Sequence, residues 1–236
     1  GMAVSDYTLF KNAARATVTT FDGQELPVER IYGANELYDV IRFKVTPPKK
    51  IQVLPFPSEP IGTGASAYLL PYSPDKAVKF SVGPVLEVSK VQGTYNYYKI
   101  QMPLTATNLS APILTDKGEV MGLAQVDASG SDNTSYAIAA DFANSLKITT
   151  SDAINPLYTS IGIRKAWPEE QDQAVVYLYL IASAQDLKTY IESLDDFIAT
   201  FPNASEGYTQ RASYKAHNRF ALSPDDAAGQ LNFLNS

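Results

Sequence analysis

The sequence predicts a mainly β domain, built as an antiparallel barrel or sandwich, followed by a small all-α domain of helical hairpins. Between residues 13 and 146, short runs rich in β-branched and aromatic residues recur every 8–12 residues or so, separated by Gly and Pro turn signals. From about residue 166 the apolar residues recur at helical spacing instead. The 236 residues are 45% apolar and 19% charged, which gives core material for one large or two modest domains.

The first predicted strand, "ARATVTTF" (14–21), is rich in β-branched residues and runs into the turn signal "DG" (22–23). Further on, "PPKK" (47–50) and "PFPSEPIGTG" (55–64) interrupt the strand pattern, because proline and glycine favour turns and loops. The other predicted strands are "ELPVERIYG", "DVIRFKV" (39–45), "ASAYLLPY" (65–72), "KAVKFSVG" (76–83), "PVLEVSKV" (84–91), "TYNYYKIQM" (94–102), "APILT", "EVMGLAQV" (119–126) and "SYAIAA" (135–140).

Four short helices are predicted after residue 166. The first two lie in "PEEQDQAVVYLYLIASAQDLKTYIESLDDFIATFP", the third in "ASEGYTQRASYKAHNR" (204–219), and the fourth begins at "SPDD" (223–226) with serine as N-cap and proline at the first helical position. The helical apolar spacing is carried by Leu187, Tyr190, Ile191, Leu194, Phe197, Ile198 and Phe201. We therefore predict a β domain at 1–148, a linker at 149–165 and a helical segment at 166–236.

Composition excludes several classes of function. The net charge is −6 and no basic patch stands out, so nucleic acid is not a predicted partner. The chain has no cysteine, which excludes disulfides and thiolate metal sites. No apolar run approaches the roughly 18 residues of a membrane helix, so no membrane insertion is predicted. No cofactor or metal site is predicted either.

Three ordered segments carry a resemblance to a known family. They are "TLFKNA" (8–13) ahead of the "DG" turn, "DVIRFKV", and "TNLSAP" (107–112) followed by "GEVMG" (118–122). They resemble the His-Val-Val-x-Gly-Ala, Asp-Leu-Ala-Leu-Leu-Lys-Val and Gly-Asn-Ser-Gly-Gly-Pro motifs of trypsin-like serine proteases, in particular the bacterial branch that includes periplasmic stress proteases. The resemblance spans most of residues 8–146 and implies a trypsin-like antiparallel β-barrel domain. Because the chain begins only seven residues before Thr8, we expect its N-terminal barrel to be incomplete.

The resemblance also locates the three triad positions. Thr8 stands at the histidine position, Asp39 at the aspartate position and Leu109 at the serine position, with Ser110 next to it. A triad needs an activated hydroxyl, an imidazole that takes its proton and a carboxylate that orients the imidazole. The chain's one histidine, His217, lies in the predicted helical segment. We therefore predict no catalytic residues and a vestigial triad, in which Asp39 accepts a hydrogen bond from the Thr8 hydroxyl.

The favoured function is that of an inactive protease homologue, a pseudoprotease, that binds a peptide by strand addition or acts as a scaffold. The cleft implied by the resemblance is bordered by Thr107, Asn108, Ser110, Ala111, Ala124, Gln125, Tyr136, Ala137 and Ile138. The alternative is a serine hydrolase or peptidase in which Ser110 is activated by a group other than histidine. A third option is a structural platform for a longer helical array.

The helical segment resembles tetratricopeptide-type repeats, because its stretch "YIESLDDFIATFPNASEGYTQRASY" has the pattern of two paired helices that is typical of such a repeat. The predicted partner is a protein or peptide. A homodimer formed through exposed β edges is also expected, since an incomplete barrel leaves unpaired backbone groups that must be covered. The family resemblance suggests a periplasmic or secreted location.

Overall fold

The computed structural model describes residues 1–20, 22–49, 51, 53–71, 79–105, 108, 111–126 and 133–218. The chain divides into two compact units. The first unit consists of Gly1–Lys147 together with Ile161–Arg164, and the second of Ile148–Ser160 together with the chain from Lys165 onward. The segment predicted as a linker, residues 149–165, contributes to both units.

An antiparallel sheet of four strands forms the first part of the first unit. Its strands are β1 (Met2–Ser5), β2 (Thr17–Thr19), β3 (Glu25–Asn35) and β4 (Val40–Val45), in the order β1-β4-β3-β2. Leu26 and Val28 alternate onto the buried face of β3. A register shift between Val28 and Arg30 then moves the buried set by one position, so that Ile31 rather than Arg30 is buried.

β1 and β2 are the edge strands of this sheet, and within the described ranges each pairs with one strand only. The dimer through β edges stays a prediction.

A closed antiparallel barrel of six strands forms the rest of the first unit, and it confirms the barrel predicted from the sequence. Its strands are β5 (Ser66–Leu69), β6 (Ser81–Val91), β7 (Tyr95–Ile100), β8 (Pro112–Leu114), β9 (Val120–Val126) and β10 (Ser135–Ala139), closed in the order β10-β7-β6-β5-β8-β9. The alternate residues of these strands fill the interior. The core consists of Ala67, Leu69, Val85, Tyr98, Ile100, Met102, Ala111, Ile113, Met121, Ala124, Ala137 and Ala139.

The two strands predicted at 76–83 and 84–91 differ from the observed structure, because β6 runs without interruption from Ser81 to Val91. Pro84 lies inside this strand and pairs with Ser66, while its carbonyl accepts a hydrogen bond from the Gln101 N–H at 3.0 Å. A register shift follows between Val85 and Glu87. Proline is tolerated at such bulges, which is why it does not end the strand here.

Four α-helices lie in the described part of the second unit: α1 (Pro156–Thr159), α2 (Gln171–Ile181), α3 (Leu187–Thr200) and α4 (Ser205–His217). α3 begins where Asp186 caps it, since the Asp186 carboxylate accepts a hydrogen bond from the Thr189 N–H at 3.0 Å. The helix predicted to begin at Ser223 lies outside the described residues.

The chain's one tryptophan, Trp167, is half-buried and packs against the core of the second unit. Its ring makes edge-on contacts with Tyr177 at 5.7 Å and with Phe197 at 5.2 Å between ring centroids. The indole N–H donates a hydrogen bond to Asp196 at 2.8 Å, so the polar edge of the ring is satisfied. None of the helices in the described residues has both the length and the apolar character needed to cross a membrane.

Candidate functional site

The structure brings together two of the three positions that the sequence assigns to a vestigial triad. Thr8 lies in a 3₁₀ helix, Tyr7–Leu9, and Asp39 lies in the turn between β3 and β4. The Asp39 carboxylate accepts a hydrogen bond from the backbone N–H of Thr8 at 2.7 Å. Asp39 therefore accepts a hydrogen bond from Thr8, but the donor is the Thr8 backbone N–H and not the predicted hydroxyl.

The backbone of Asp39 strengthens the same connection. Its carbonyl accepts a hydrogen bond from the Tyr7 N–H at 3.2 Å, and its φ of 48° lies in the left-handed region. Lys11 and Glu36 add an exposed ion pair at 3.0 Å between the same two segments, which contributes little because water screens it. The turn and the 3₁₀ helix are thus joined mainly through a single residue.

A second acid, Asp6, lies beside this connection. Burial and, to a smaller extent, the charge of Asp39 raise the pKa of the Asp6 carboxyl to about 7. Asp6 therefore changes its ionisation near neutral pH, next to the Asp39 carboxylate that holds Thr8.

The loop that resembles a nucleophile loop is described only in part, because Thr107, Leu109 and Ser110 lie outside the described residues. Two of its described members, Asn108 and Ala111, are bonded to each other, since the Ala111 N–H donates a hydrogen bond to the Asn108 carbonyl at 3.2 Å. Ala111 is buried, and its carbonyl accepts a hydrogen bond from the Ala124 N–H at 3.0 Å. The end of this loop is thereby fixed to β9.

The predicted cleft residues of β9 and β10 fall into two groups. Ala124 and Ala137 lie opposite each other in the barrel core, and Ile138 packs in a second buried cluster with Val40 and Phe142. Gln125 and Tyr136 are half-buried and form a directly opposed pair. Of these five residues, only Gln125 and Tyr136 present more than a small fraction of their surface to solvent.

Gln125 and Tyr136 belong to a polar and aromatic surface on the outside of the barrel. We call it the tyrosine platform and define it as Tyr97, Lys99, Gln125 and Tyr136. The rings of Tyr97 and Tyr136 stack at 5.3 Å with an interplanar angle of 13°, and the Lys99 ammonium lies 5.8 Å from the Tyr136 ring centroid. The Tyr97 hydroxyl donates a hydrogen bond to the Gln125 side-chain oxygen at 3.2 Å.

Tyr38 connects the tyrosine platform to the turn that carries Asp39. The Gln125 side-chain amide donates a hydrogen bond to the Tyr38 carbonyl, and the Tyr38 ring lies 5.9 Å from that of Tyr97. On its other side Tyr38 contacts Phe142 edge-on at 5.5 Å. Through Tyr38, the contact between Thr8 and Asp39 and the tyrosine platform form one continuous site.

Sequence reasoning found part of this site and missed part. Gln125 and Tyr136 are among the predicted cleft residues. The structure separates the three tyrosines of β7: Tyr98 is buried in the barrel core, Tyr95 contacts Phe142, and Tyr97 lies on the platform. Tyr38 and Lys99 were missed. Their only signal is that Tyr38 precedes Asp39 and that Lys99 lies two residues from Tyr97 along one strand.

The backbone of β9 adds a second feature to the site. β8 pairs with β9 only as far as Leu123, whereas β10 pairs with it as far as Val126. Among the described strands, none pairs with the other side of Gln125 and Val126. Beside the tyrosine platform, a short length of β9 thus has one side with which none of the strands in the described ranges pairs.

The chain's one histidine, His217, lies in the last turn of α4 in the second unit, where its Nδ1 is 2.7 Å from the Ser213 carbonyl oxygen. Within the described ranges, no cluster of three or more His, Cys, Asp or Glu residues is arranged to hold a metal ion.

Comparison of the sequence with models of protein families and with curated proteins finds no match.

Proposed function

We propose that the chain is a catalytically inactive homologue of the trypsin-like serine proteases, and that its first unit binds a peptide or an extended protein segment. The closed barrel and the closeness of Thr8 and Asp39 support the family resemblance, because a triad requires these two positions to be neighbours. The helical second unit, which resembles tetratricopeptide-type repeats, acts as a second binding or scaffolding part.

The chemistry of the site supports an inactive protein. Thr8 offers no imidazole, and Leu109 offers no hydroxyl, so the base and the nucleophile are both replaced. The Asp39 carboxylate holds the Thr8 backbone instead of orienting a histidine. Each replacement removes a group without which a catalytic triad does not function.

The binding proposal rests on one observation. No described strand pairs with one side of β9 at Gln125 and Val126, and this side lies next to the tyrosine platform. An extended peptide binds to such an edge through its main-chain N–H and C=O groups, while surface side chains select among sequences. Tyr97 and Tyr136 supply a flat aromatic surface, of the kind enriched at binding sites. Lys99 adds a positive charge at its border.

A peptide array, followed by isothermal titration calorimetry of the peptides it retains, tests this proposal. Tyr136→Ala removes half of the stacked pair, and we expect it to weaken binding about fivefold or more, or about 1 kcal/mol. Tyr208→Ala is the matched control, because Tyr208 is an exposed tyrosine of the second unit. Circular dichroism establishes that both variants fold.

A second measurement separates strand addition from side-chain recognition. Methylation of alternate backbone amides of a bound peptide keeps its side chains but removes the N–H donors that face β9. We expect one set of alternate positions to abolish binding and the other to leave it intact. Equal affinity for both methylated peptides, or a Tyr136→Ala variant that binds as tightly as the unaltered chain, would contradict the proposed site.

A fluorophosphonate probe tests the absence of catalysis separately. We expect no covalent labelling of the folded chain. Labelling that disappears in Ser110→Ala would establish a serine hydrolase with an unconventional base and overturn the inactive assignment.

A further inference from the structure

A pocket of about 150 Å³ lies within the second unit and is lined only by residues of that unit. Its walls come from the 3₁₀ helix Thr150–Ala153, from α1 and α2, and from the turn after α2. The residues that carry its chemistry are Asp152, Tyr158, Lys165 and Tyr177. Ile181 and Ala184 form part of its apolar wall.

The walls of this pocket are held in place by neighbouring contacts. Asp152 is buried, and its carboxylate accepts hydrogen bonds from the Thr149 N–H at 2.7 Å and the Thr149 hydroxyl at 2.8 Å. Tyr177 is also buried, and its ring packs edge-on against Trp167. Side chains fixed in this way offer a preformed surface to a ligand.

Lys165 gives the pocket a nucleophile. Burial lowers the pKa of the Lys165 ammonium from 10.5 to about 8, because the charged form is less well solvated. Near pH 8, a substantial fraction of the molecules therefore carries Lys165 as the neutral amine. Burial raises the pKa of the Tyr177 hydroxyl, so Tyr177 stays protonated and able to donate a hydrogen bond.

We propose that this pocket binds a small aldehyde or ketone, which Lys165 captures as an imine. The amine nitrogen attacks the carbonyl carbon, and the nitrogen's two protons leave with the carbonyl oxygen as water. A C=N bond replaces the C=O bond, with no oxidant or reductant involved. The hydroxyls of Tyr158 and Tyr177 are among the pocket groups that can donate a hydrogen bond to the carbonyl oxygen during the attack.

The volume limits the ligand. A cavity of 150 Å³ holds a molecule of about the size of benzene. The pocket therefore suits short carbonyl compounds of a few carbon atoms.

Reductive labelling tests this inference. The full chain is treated with glycolaldehyde and sodium cyanoborohydride at about pH 8, and the modified lysines are mapped by peptide mass spectrometry. Lys188, which is exposed on α3 of the same unit, is the internal reference. We expect Lys165 to react about tenfold faster than Lys188, since its lowered pKa leaves a substantial neutral fraction at this pH, which outweighs the somewhat lower nucleophilicity of a less basic amine.

Variants that fill the pocket test whether the labelling of Lys165 depends on the pocket and not only on the reactivity of its amine. Ala184→Leu places a larger side chain at an exposed position of the wall, and we expect labelling of Lys165 to fall about tenfold while labelling of Lys188 is unchanged. Ala212→Leu, at an exposed position of α4 that does not line the pocket, is the matched control. Should Ala184→Leu fail to fold, Thr159→Leu fills the same pocket from α1.

Two results would overturn the inference. One is labelling of Lys165 no faster than that of Lys188. The other is a folded pocket-filling variant in which Lys165 reacts as fast as in the unaltered chain.

Discussion

The Asp39 carboxylate accepts a hydrogen bond from the Thr8 backbone N–H at 2.7 Å, and the Asp39 carbonyl accepts one from the N–H of Tyr7 at 3.2 Å. One residue therefore holds two successive N–H groups of the 3₁₀ helix. Both contacts stabilise the backbone of this segment, which gives Asp39 a structural role.

Substitution of Asp39 tests this structural role. Asp39→Ala removes the acceptor and places a residue that disfavours positive φ at a φ of 48°, so we expect a loss of about 1–3 kcal/mol in the free energy of unfolding. Asp39→Asn keeps an oxygen acceptor and tolerates positive φ, so we expect it to stay within about 1 kcal/mol of the unaltered chain. Urea unfolding followed by circular dichroism compares the two. Equal losses in both variants would show that the hydrogen bond to Thr8 contributes nothing.

Ionisation of Asp6 makes the free energy of unfolding depend on pH. Its pKa is about 7 in the folded chain and close to 3.8 when unfolded, so between these values the folded state binds more protons than the unfolded state. Stability therefore falls as the pH rises from about 4 to 7. Because Asp6 is only half-buried, solvent screening reduces the effect to about 1–2 kcal/mol.

Asp6→Asn removes this titration. We expect the variant to be more stable than the unaltered chain at about pH 8 and to have a flatter profile between about pH 5 and pH 8. Asp39→Asn removes only the smaller, charge-based cause and should flatten the profile in part. Calorimetric unfolding across this pH range measures both. An unchanged profile in Asp6→Asn would exclude Asp6 as its source.

The strands could be predicted from the sequence, because the alternation of apolar and polar residues along a short segment determines them. The alternation in "ELPVERIYG" and "DVIRFKV" is enough to predict β3 and β4. The tyrosine platform could not be predicted in the same way. Its members come from three strands, and their contacts depend on the register Tyr136↔Lys99 and Tyr136↔Gln125, which no local pattern specifies.

Gly122, in the segment "GEVMG", is required by the packing of β9 against β10. A Cβ at this position would lie 2.5 Å from the Ile138 carbonyl oxygen and 2.9 Å from the Ala137 Cβ, both closer than atoms can pack. We expect Gly122→Ala to lower the free energy of unfolding by roughly 3 kcal/mol or more, or to prevent folding of the barrel.

Gly62→Ala is the matched control for this substitution. Nothing lies within 4 Å of a Cβ at Gly62, so we expect a change within about 0.5 kcal/mol. Thermal unfolding followed by circular dichroism compares the two variants. A Gly122→Ala variant as stable as Gly62→Ala would contradict the close approach of the two strands.

The Tyr190 hydroxyl is a source of instability in the second unit. Tyr190 is fully buried, its ring lies 4.6 Å from that of Tyr214, and its hydroxyl has no hydrogen-bond partner among the described residues. Burial also raises its pKa to about 12. A buried hydroxyl without a partner loses its bonds to water and gains none in return, so Tyr190→Phe should raise the free energy of unfolding by about 1 kcal/mol.

Tyr208→Phe is the matched control, because the exposed Tyr208 hydroxyl donates a hydrogen bond to the Pro202 carbonyl at 3.1 Å. We expect it to leave stability unchanged or to lower it by up to about 1 kcal/mol. Urea unfolding monitored by the fluorescence of Trp167 measures both variants, since this one tryptophan packs against α2 and α3 in the same unit. A Tyr190→Phe variant less stable than the unaltered chain would mean that the Tyr190 hydroxyl is satisfied in the folded protein.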